Sequence, residues 1–399
     1  MQLKKLLFWV LLSVQLWAEP LCRSVILVII DGARYSETLG DPLGRYTPRM
    51  STLARDGVVV DNFINNGITV TDRAIPAIWT GSWIAPRDTT VNGRLTQYTL
   101  MPSIWEYYRK SSGYDSTQAL YILKYLSSLW LPSFLSDYGP KYWPMFVSKG
   151  SDDIAVWNEA RLRLQTYHPR LSIVYFADVD HAGHSGVWTT YTRAIAIADS
   201  LVGVLWSFVQ SDPVLKNNTT VIVTNDHGRH LDGVSTGFKG HGDDCYGCRH
   251  IMLLALGPVV KRGVHLSNSY KLTDIAPTIG YILDFTTPHA EGVVITELFN
   301  SESSATAPPV FVTDFVLQPN YPNPFNNRTV IAFDLPVAEK VKVEVYDIEG
   351  KRRSCLIDEY RAAGRHKVIW EDPAAPTGVY FFKVEAGSQT RLCKGVLLK

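Results

Sequence analysis

The chain has 399 residues, and its 39 basic residues nearly balance its 38 acidic residues, which leaves a formal net charge of +1. This balance excludes the strongly charged surface that binding to nucleic acid or to an acidic membrane requires. The length allows two domains, and a hydrophobic content of 46% is typical of a folded soluble protein.

The N-terminus has the pattern of an export signal. Lys4 and Lys5 precede an apolar run over residues 6–16, and Ala18 fits the last residue before cleavage, so we predict a signal peptide over residues 1–18. The apolar run is short for a membrane span, although an uncleaved signal anchor is the alternative. We expect no later stretch to be long and apolar enough to cross a bilayer, and therefore a mature chain without a transmembrane segment.

The first apolar segment after the signal predicts a buried strand. Residues 24–30 form a continuous, mostly β-branched run, which is typical of a strand covered on both faces. Asp31 and Gly32 follow directly. Because ligands of open α/β sheets bind beyond the carboxyl ends of the strands, Asp31 is a candidate site residue. A role in a turn or a helix cap is the alternative.

The next candidate lies at the start of a helix. Residues 47–55 predict a helix and residues 58–63 a second strand. The segment 69–81 then begins with Thr69 and Thr71 and continues as a mostly apolar helix. A hydroxyl at a helix N-terminus is usually a cap, but it is also where free N–H groups and the helix dipole favour a nucleophile.

Two further buried strands are predicted over residues 171–176 and 219–223. Beyond their ends lie four candidate metal ligands, which are Asp180, His184, Asp226 and His227. A carboxylate and an imidazole side by side suit a borderline metal such as zinc. Most such pairs in proteins are nevertheless solvated loop residues, so the pair alone is a weak signal.

Helical patterns alternate with these strands. Residues 188–209 predict an amphipathic helix, residues 251–256 another strand and residues 272–283 another helix. This alternation predicts an α/β fold with a mainly parallel sheet sandwiched by helices.

The histidines are unevenly placed. Six of the ten fall between positions 180 and 250, and these are His181, His184, His227, His230, His241 and His250. Histidines clustered with Asp at strand ends are typical of a metal site. Ordinary surface-loop histidines are the alternative.

The pattern changes near residue 300. Residues 299–314 are rich in Ser, Ala and Pro and predict a linker between a catalytic domain, 19–298, and a C-terminal domain, 315–399. Short alternating strands separated by turns predict that the C-terminal domain is a small all-β, Ig-like sandwich. We find no residues in it that could carry chemistry.

Five cysteines are too few for a disulfide scaffold. In an exported protein, Cys245 could pair with Cys248, and Cys355 with Cys393, which leaves Cys22 alone. Cys245 and Cys248 could also bind a metal, but export and their close spacing favour a disulfide-bonded loop.

Five short motifs occur in an order that resembles the alkaline phosphatase superfamily, on its type I phosphodiesterase/nucleotide pyrophosphatase side. The motifs are Asp31-Gly32, the segment from Thr71 to Thr80-Gly81, Asp180-x-x-Gly183-His184, Asp226-His227-Gly228 and His241-Gly242. The resemblance implies an alkaline phosphatase-like catalytic domain with two divalent metal ions, which we expect to be Zn²⁺. It implies one zinc on Asp180, His184 and His241, and the other on Asp31, Asp226 and His227 with Thr71.

The same resemblance implies roles for Thr71 and Asn92. Counted back from the Thr-Gly pair that ends the helix, the family spacing matches Thr71 rather than Thr69 as the nucleophile. The modifiable Cys or Ser of sulfatases is absent, and Arg73 stands where the family usually has Pro. Asn92 matches the Asn with which the diesterases bind a phosphoryl oxygen, although Asn92-Gly93 also fits a plain turn.

The C-terminal domain carries a resemblance of its own. Residues 320–326, Asn-Tyr-Pro-Asn-Pro-Phe-Asn, resemble the C-terminal sorting domain of the type IX secretion system. The resemblance implies a Gram-negative bacterium in which residues 315–399 engage that secretion machinery, so that the protein becomes secreted or attached to the cell surface. A carbohydrate-binding or spacer sandwich is the alternative.

Together, the resemblances imply an exported two-zinc phosphohydrolase. As a phosphodiesterase or nucleotide pyrophosphatase, it would act on a small phosphoester through a phospho-threonine intermediate. A phosphomonoesterase, phosphonate hydrolase or sulfatase-type hydrolase on the same metal site is the alternative. A catalytically inactive surface binding protein is a further alternative, against which the complete set of ligands argues.

Overall fold

The structure is a computed structural model that describes residues 22–124, 130–300, 315–320, 322–336, 339–361 and 364–399. The chain divides into two compact units, Met1–Thr306 and Ala307–Lys399. The predicted signal peptide and most of the predicted linker lie outside the described residues, so both stay predictions.

The first unit alternates strands and helices. Its strands are β1 (Ser24–Ile30), β2 (Val58–Ile64), β3 (Arg87–Val91), β4 (Arg94–Tyr98), β5 (Ala119–Leu123), β6 (Trp130–Leu131), β7 (Met145–Ser148), β8 (Leu171–Phe176), β9 (Thr219–Thr224), β10 (His250–Ile251), β11 (Leu253–Leu256) and β12 (Val264–Lys271). Its helices are α1 (Pro48–Leu53), α2 (Thr71–Thr80), α3 (Ile104–Ser112), α4 (Asp153–Tyr167), α5 (Asp178–His184), α6 (Trp188–Ser211), α7 (Tyr246–Arg249) and α8 (Ile275–Leu283).

One nine-stranded sheet organises this unit. The strand order is β10-β2-β11-β9-β1-β8-β5-β7, and β12 pairs with β2. Strands β9, β1, β8, β5 and β7 run parallel, whereas β11 runs antiparallel to both β9 and β2. The prediction of an α/β fold with a mainly parallel sheet is therefore confirmed.

Helices cover both faces of the sheet, which is why β1 is apolar throughout. Every residue of β1 is buried, and successive side chains point to opposite faces. Val25 and Leu27 pack into one core cluster with residues of α2, α3 and α8. Ile26 and Val28 pack into a second cluster with residues of α4 and α6. Each fully buried aliphatic side chain contributes about 1.5–3 kcal/mol, so both faces hold the central strands in place.

Helix α6 corrects one expectation from the sequence. By length and composition alone it is apolar enough to cross a membrane, whereas we expected no such stretch after the signal. Its residues Ile195, Val202 and Leu205 are buried in the core cluster on one face of the sheet. A core helix of a soluble protein passes the same test of length and hydropathy, so the packing accounts for its apolar residues.

The second unit is an antiparallel all-β domain, as predicted. Its strands are β13 (Val316–Leu317), β14 (Arg328–Leu335), β15 (Glu339–Asp347), β16 (Arg352–Arg361), β17 (Gly364–Glu371), β18 (Gly378–Ala386) and β19 (Gln389–Leu397). They form the sheets β13-β14-β17 and β16-β15-β18-β19. Alternate residues such as Val341 and Val343 of β15, Phe333 of β14 and Phe382 of β18 share one core cluster.

The structure does not contain the disulfide between Cys355 and Cys393 that the sequence left open. Cys355 lies on β16 and Cys393 on β19, which are the two outer strands of the four-stranded sheet. Neighbouring strands are about 4.8 Å apart, so three strand spacings separate the two residues by roughly 14 Å. A disulfide needs Cα atoms within about 7 Å, and all five cysteines are free thiols.

Candidate active site

The candidate site lies beyond the carboxyl ends of three adjacent parallel strands. Asp31 follows the end of β1, α5 with Asp180 follows β8, and Asp226 follows β9. The register pairs Ile29 of β1 with Tyr175 of β8 on one side and with Thr224 of β9 on the other. Segments more than 140 residues apart in sequence therefore meet at one edge of the sheet.

The first group of side chains contains Asp31, Asp226, His227 and Thr71. His227 Nε2 is 3.4 Å from Asp31 Oδ1, 3.4 Å from Asp226 Oδ2 and 3.1 Å from Thr71 Oγ1. Both carboxylates and the imidazole are buried, and one ligand atom of each lies within 4.8 Å of the others. These are the residues that the sequence predicted for one metal ion.

The second group contains Asp180, His184 and His241. His184 Nε2 is 3.3 Å from Asp180 Oδ2 and 3.2 Å from His241 Nε2, and His241 Nε2 is 3.5 Å from Asp180 Oδ1. The rings of His227 and His241 stack with centroids 3.8 Å apart, so the two groups adjoin. His184 is half-exposed at the rim, whereas the buried His227 lies between both groups.

The orientation of the imidazoles fits metal binding. His227 Nδ1 donates to the carbonyl oxygen of Gly228 at 2.9 Å, and His241 Nδ1 donates to that of Thr69 at 2.9 Å. Because a carbonyl only accepts, each neutral ring keeps its lone pair on Nε2, which faces the cluster. In addition, Asp226 Oδ2 is buried and has no hydrogen-bond partner. These donors fit divalent cations with mixed oxygen and nitrogen ligands.

The pKa shifts of the side chains in the cluster also fit the binding of cations. Burial raises the pKa of the Asp31 carboxyl well above its usual range, and the charges of Asp226 and Asp180 raise it further. Burial also raises the pKa of Asp226. Burial, followed by the charge of His227, lowers the pKa of His241 to about 4. Crowded carboxylates repel one another in a buried site, and bound cations relieve that repulsion.

The structure distinguishes the two threonines. Thr71 is the first residue of α2, whose N-cap is Val70, so its hydroxyl does not cap the helix. Thr69 is buried, and its Oγ1 donates to the carbonyl oxygen of Asp243 at 2.8 Å. Of the two, the Thr71 hydroxyl is the one that faces the cluster.

Asn92 is not brought to the cluster. It lies with Gly93 in the two-residue turn between β3 and β4, with φ angles of 51° and 76°, and it is exposed. Positive φ at both positions is the geometry of a tight hairpin turn, which favours Asn followed by Gly. Among the described residues, no hydrogen bond joins Asn92 to the cluster. The plain turn that the sequence also allowed therefore accounts for this residue.

The histidines that are close in sequence separate in space. His184, His227 and His241 lie at the site, whereas His181 bonds to the carbonyl oxygen of Ala177 in its own helix. His250 is buried beside the backbone of Asp61, in a different part of the sheet. Of the histidines clustered in the sequence, the structure therefore brings three together at the candidate site.

Sequence reasoning missed Arg229, which joins three segments of the site. It is fully buried, donates to the carbonyl oxygens of Gly32 at 3.1 Å, Phe238 at 3.1 Å and Asp180 at 2.8 Å, and also contacts the Asp180 carboxylate. Burial alone would raise the pKa of Asp180, but Arg229 and then the neighbouring histidines hold it below its usual range. The one signal in the sequence was a charged residue directly after the Asp-His-Gly motif.

The close packing around Arg229 and Asp180 requires glycine at two motif positions. A Cβ on Gly183 would lie 2.4 Å from the guanidinium carbon of Arg229. A Cβ on Gly32 would lie 2.6 Å from Asp180 Oδ1, and its φ of +66° also favours glycine. Sequence reasoning also missed Tyr175, for which the sequence contains no signal. This residue lies at the end of β8, and its hydroxyl donates to Asp31 Oδ2 at 2.5 Å.

Two family models match the chain. The model of type I phosphodiesterase / nucleotide pyrophosphatase matches residues 25–231, and that of the secretion system C-terminal sorting domain matches residues 320–398. A 2,3-bisphosphoglycerate-independent phosphoglycerate mutase of Mycoplasmopsis pulmonis is 33% identical over 114 residues, or 29% of this chain. The match spans only 20% of the length of that curated relative.

Solved structures share the fold at low sequence identity. Murine ectonucleotide pyrophosphatase / phosphodiesterase 5 has a TM-score of 0.53 at 16% identity, over 69% of this chain and 100% of the other. A phosphonate monoester hydrolase from Silicibacter pomeroyi has a TM-score of 0.50 at 12% identity, over 93% of this chain and 88% of the other. At these identities the likeness concerns the fold alone.

Proposed function

Because the chain belongs to the type I phosphodiesterase/nucleotide pyrophosphatase family, we propose that its first unit hydrolyses phosphodiesters and that Thr71 is the nucleophile. One observation carries this proposal: Thr71 Oγ1 lies 3.1 Å from His227 Nε2 and 3.5 Å from Asp31 Oδ1, at the first residue of α2. The murine neighbour has also been solved as an inactive threonine-to-alanine variant in complex with AMP. A nucleoside phosphate is therefore a sensible first substrate class to test here.

The two groups of side chains would each hold one divalent cation, which we propose to be Zn²⁺. Asp31, Asp226 and His227 would hold one with Thr71, and Asp180, His184 and His241 would hold the other. When bound, the cations would supply positive charge for the phosphoryl oxygens and lower the pKa of a coordinated hydroxyl.

The reaction proceeds in two displacements at phosphorus. Thr71 Oγ1 loses its proton to solvent and attacks phosphorus in line, while the bond to the leaving oxygen breaks and a phospho-threonine forms. Water then attacks the same phosphorus, the bond to Thr71 Oγ1 breaks, and the hydroxyl regains a proton. Two inversions produce net retention of configuration at phosphorus.

The first turn of α2 assists from the backbone. The earliest N–H groups of a helix have no carbonyl partner within it, and in α2 the amides of Arg73 and Ala74 are the first to bond, both to Val70 O. The preceding amides of Thr71 and Asp72 are therefore available to donate to the phosphoryl oxygens. With Asn92 in an exposed turn, these amides take the role that the sequence had suggested for it.

Substitution of the nucleophile tests this function. We expect Thr71→Ala to lower kcat/KM on bis-p-nitrophenyl phosphate by at least about a thousandfold, or about 4 kcal/mol of activation free energy, with an unchanged metal content. Thr52→Ala is the matched control, since Thr52 is exposed on α1. A Thr71→Ala protein that keeps most of its activity would show that Thr71 is not the nucleophile.

The same enzyme preparation decides between related activities. We expect faster hydrolysis of the diester than of p-nitrophenyl phosphate, p-nitrophenyl sulfate or p-nitrophenyl phenylphosphonate. A faster monoester, sulfate or phosphonate reaction that still depends on Thr71 would retain the nucleophile but reassign the substrate class. No hydrolysis of any of the four compounds by a metal-replete protein would favour an inactive binding protein.

The second unit indicates where the protein acts. A C-terminal sorting domain indicates export and a secreted or surface protein. We propose that residues 315–399 engage the type IX secretion machinery after a signal peptide over residues 1–18 has directed the chain across the inner membrane. A chain truncated before residue 315 should then accumulate in the periplasm, whereas the full chain reaches the cell surface or the medium.

A further inference from the structure

A second set of potential metal ligands lies outside the candidate active site. His230, Asp243, Cys245 and Cys248 each offer one ligand atom, and these four atoms lie within 4.8 Å of one another. His230 follows the Asp226-His227-Gly228 motif, Cys245 is the N-cap of α7, and Cys248 lies within that helix. None of the four has a part in the proposed hydrolysis.

The side chains are oriented towards one another. His230 is 5% exposed, and its Nδ1 lies 3.0 Å from Thr236 Oγ1. That contact directs Nε2 towards Asp243, whose Oδ2 is 3.0 Å away, yet Nε2 is buried and makes no hydrogen bond. Asp243 Oδ1 accepts from the backbone N–H of Cys245 at 3.0 Å, which leaves Oδ2 for the cluster. His230 Nε2 and Asp243 Oδ2 are therefore two potential ligand atoms that already lie side by side.

We propose that His230, Asp243, Cys245 and Cys248 form a structural zinc site. Two thiolates, one imidazole and one carboxylate are four ligands, which is the number that a closed, tetrahedral zinc site requires. Cysteines separated by two residues are a common zinc-binding pair. Ligand atoms around a tetrahedral zinc stand about 3–4 Å apart, so no pair in the cluster needs to approach by more than about 1–2 Å.

A disulfide between Cys245 and Cys248, which the sequence favoured, explains less of the geometry. It would occupy both sulfur atoms and leave His230 Nε2 with Asp243 as its one remaining neighbour in the cluster. In the structure both cysteines are free, and Cys248 is buried next to Gly247, which packs closely against the backbone of Arg229 and Leu231.

The zinc would fasten two segments that carry active-site residues. The segment with His227 contacts the segment with Cys248 through the N–H of Gly228, which donates to Cys248 O at 2.8 Å. The segment with His241 contacts His230, whose N–H donates to Gly240 O at 3.1 Å. Asp243 also accepts, through its carbonyl oxygen, from the Thr69 hydroxyl at 2.8 Å. A metal on this cluster would therefore hold together the segment with His227, the segment with His241 and the residues just before α2.

Cobalt substitution distinguishes this site from the active site. Thiolate ligands give Co²⁺ a charge-transfer band in the near ultraviolet, and the two active-site groups contain only oxygen and nitrogen ligands. We expect the band in the full-length protein and in Cys355→Ser/Cys393→Ser, the matched control. We expect it to be absent from Cys245→Ser/Cys248→Ser, which should also contain one zinc fewer per chain.

Two measurements on the unmodified protein keep the test decisive if the double variant does not fold. In the native zinc-loaded protein, Cys245 and Cys248 should resist alkylation until a chelator is added. Mass spectrometry of the denatured protein should give the mass of a chain in which both cysteines are reduced thiols. A Cys245–Cys248 disulfide in the exported protein, or cobalt protein without the thiolate band, would overturn the proposal. Neither readout involves catalysis, so this outcome is independent of whether Thr71 is the nucleophile.

Discussion

Replacing Arg229 by Met removes the guanidinium that joins three segments around the candidate active site. Met keeps much of the apolar volume of the Arg stem, so the loss is mainly electrostatic. Arg229 donates to the backbone carbonyls of Gly32, Phe238 and Asp180, and it contacts the Asp180 carboxylate. Without it, Asp180 loses its nearest positive side chain in a largely buried position.

The size of the effect follows from this burial. Removing one partner of a buried ion pair costs about 3–5 kcal/mol, because the other charge stays behind without compensation. For a domain of this size, that corresponds to a fall in Tm of about 5–9 °C. Because Arg229 also holds Asp180 in place, and Asp180 is a proposed metal ligand, we expect the metal affinity of the second group to fall about 10–100-fold.

Calorimetry and metal titration of the purified protein check this prediction. Arg193→Met is the control, because Arg193 is exposed on α6. Gly183→Ala should act in the same direction without touching the charge, since the added methyl group would lie 2.4 Å from the guanidinium carbon. If Arg229→Met melts at the same temperature as Arg193→Met and binds metal as tightly, the role assigned to Arg229 is wrong.

Two further substitutions test buried polar contacts. Tyr175→Phe removes the hydroxyl that donates to the buried Asp31 Oδ2, so the affinity for metal should fall about 10–100-fold and the free energy of unfolding by about 1–3 kcal/mol. Competition with a chelating dye measures the affinity, and an unchanged value would contradict this prediction. Glu106→Gln affects a buried carboxylate whose two oxygens accept from the Ser103 and Ser133 side chains and from backbone N–H groups. A Gln side chain accepts at only one of these two positions. Unfolding in urea should therefore show that the variant has lost about 2–4 kcal/mol of unfolding free energy. Equal midpoints for both proteins would refute this prediction.

Much of the fold could be predicted because its signals are local. The β-branched run over β1 and the alternation of strands with helices each depend on residues close in sequence, and the structure confirmed both. The family and the sorting domain were also predicted correctly, since their motifs are short and occur in a fixed order. The order of the motifs also suggested the seven candidate metal ligands, whose assignment stays a proposal.

Other features depend on which segments meet in space. The sequence suggested Asn92 from its spacing alone, but the pairing of β3 with β4 places it in an exposed turn. The sequence also left a pair of Cys355 with Cys393 open, and the structure excludes it because two strands lie between them. Position along the chain does not state which strands are neighbours.

What the sequence by itself determined is the set of elements and the chemical types of the ligands, because periodicity and motif order are properties of neighbouring residues. Only the tertiary structure decided which atoms face one another. It brought Tyr175 onto Asp31 and Arg229 onto Asp180, and it placed His230 beside Cys245. Each of these contacts joins side chains whose directions are set by the packing of separate loops against one sheet edge, and no local pattern encodes such a direction.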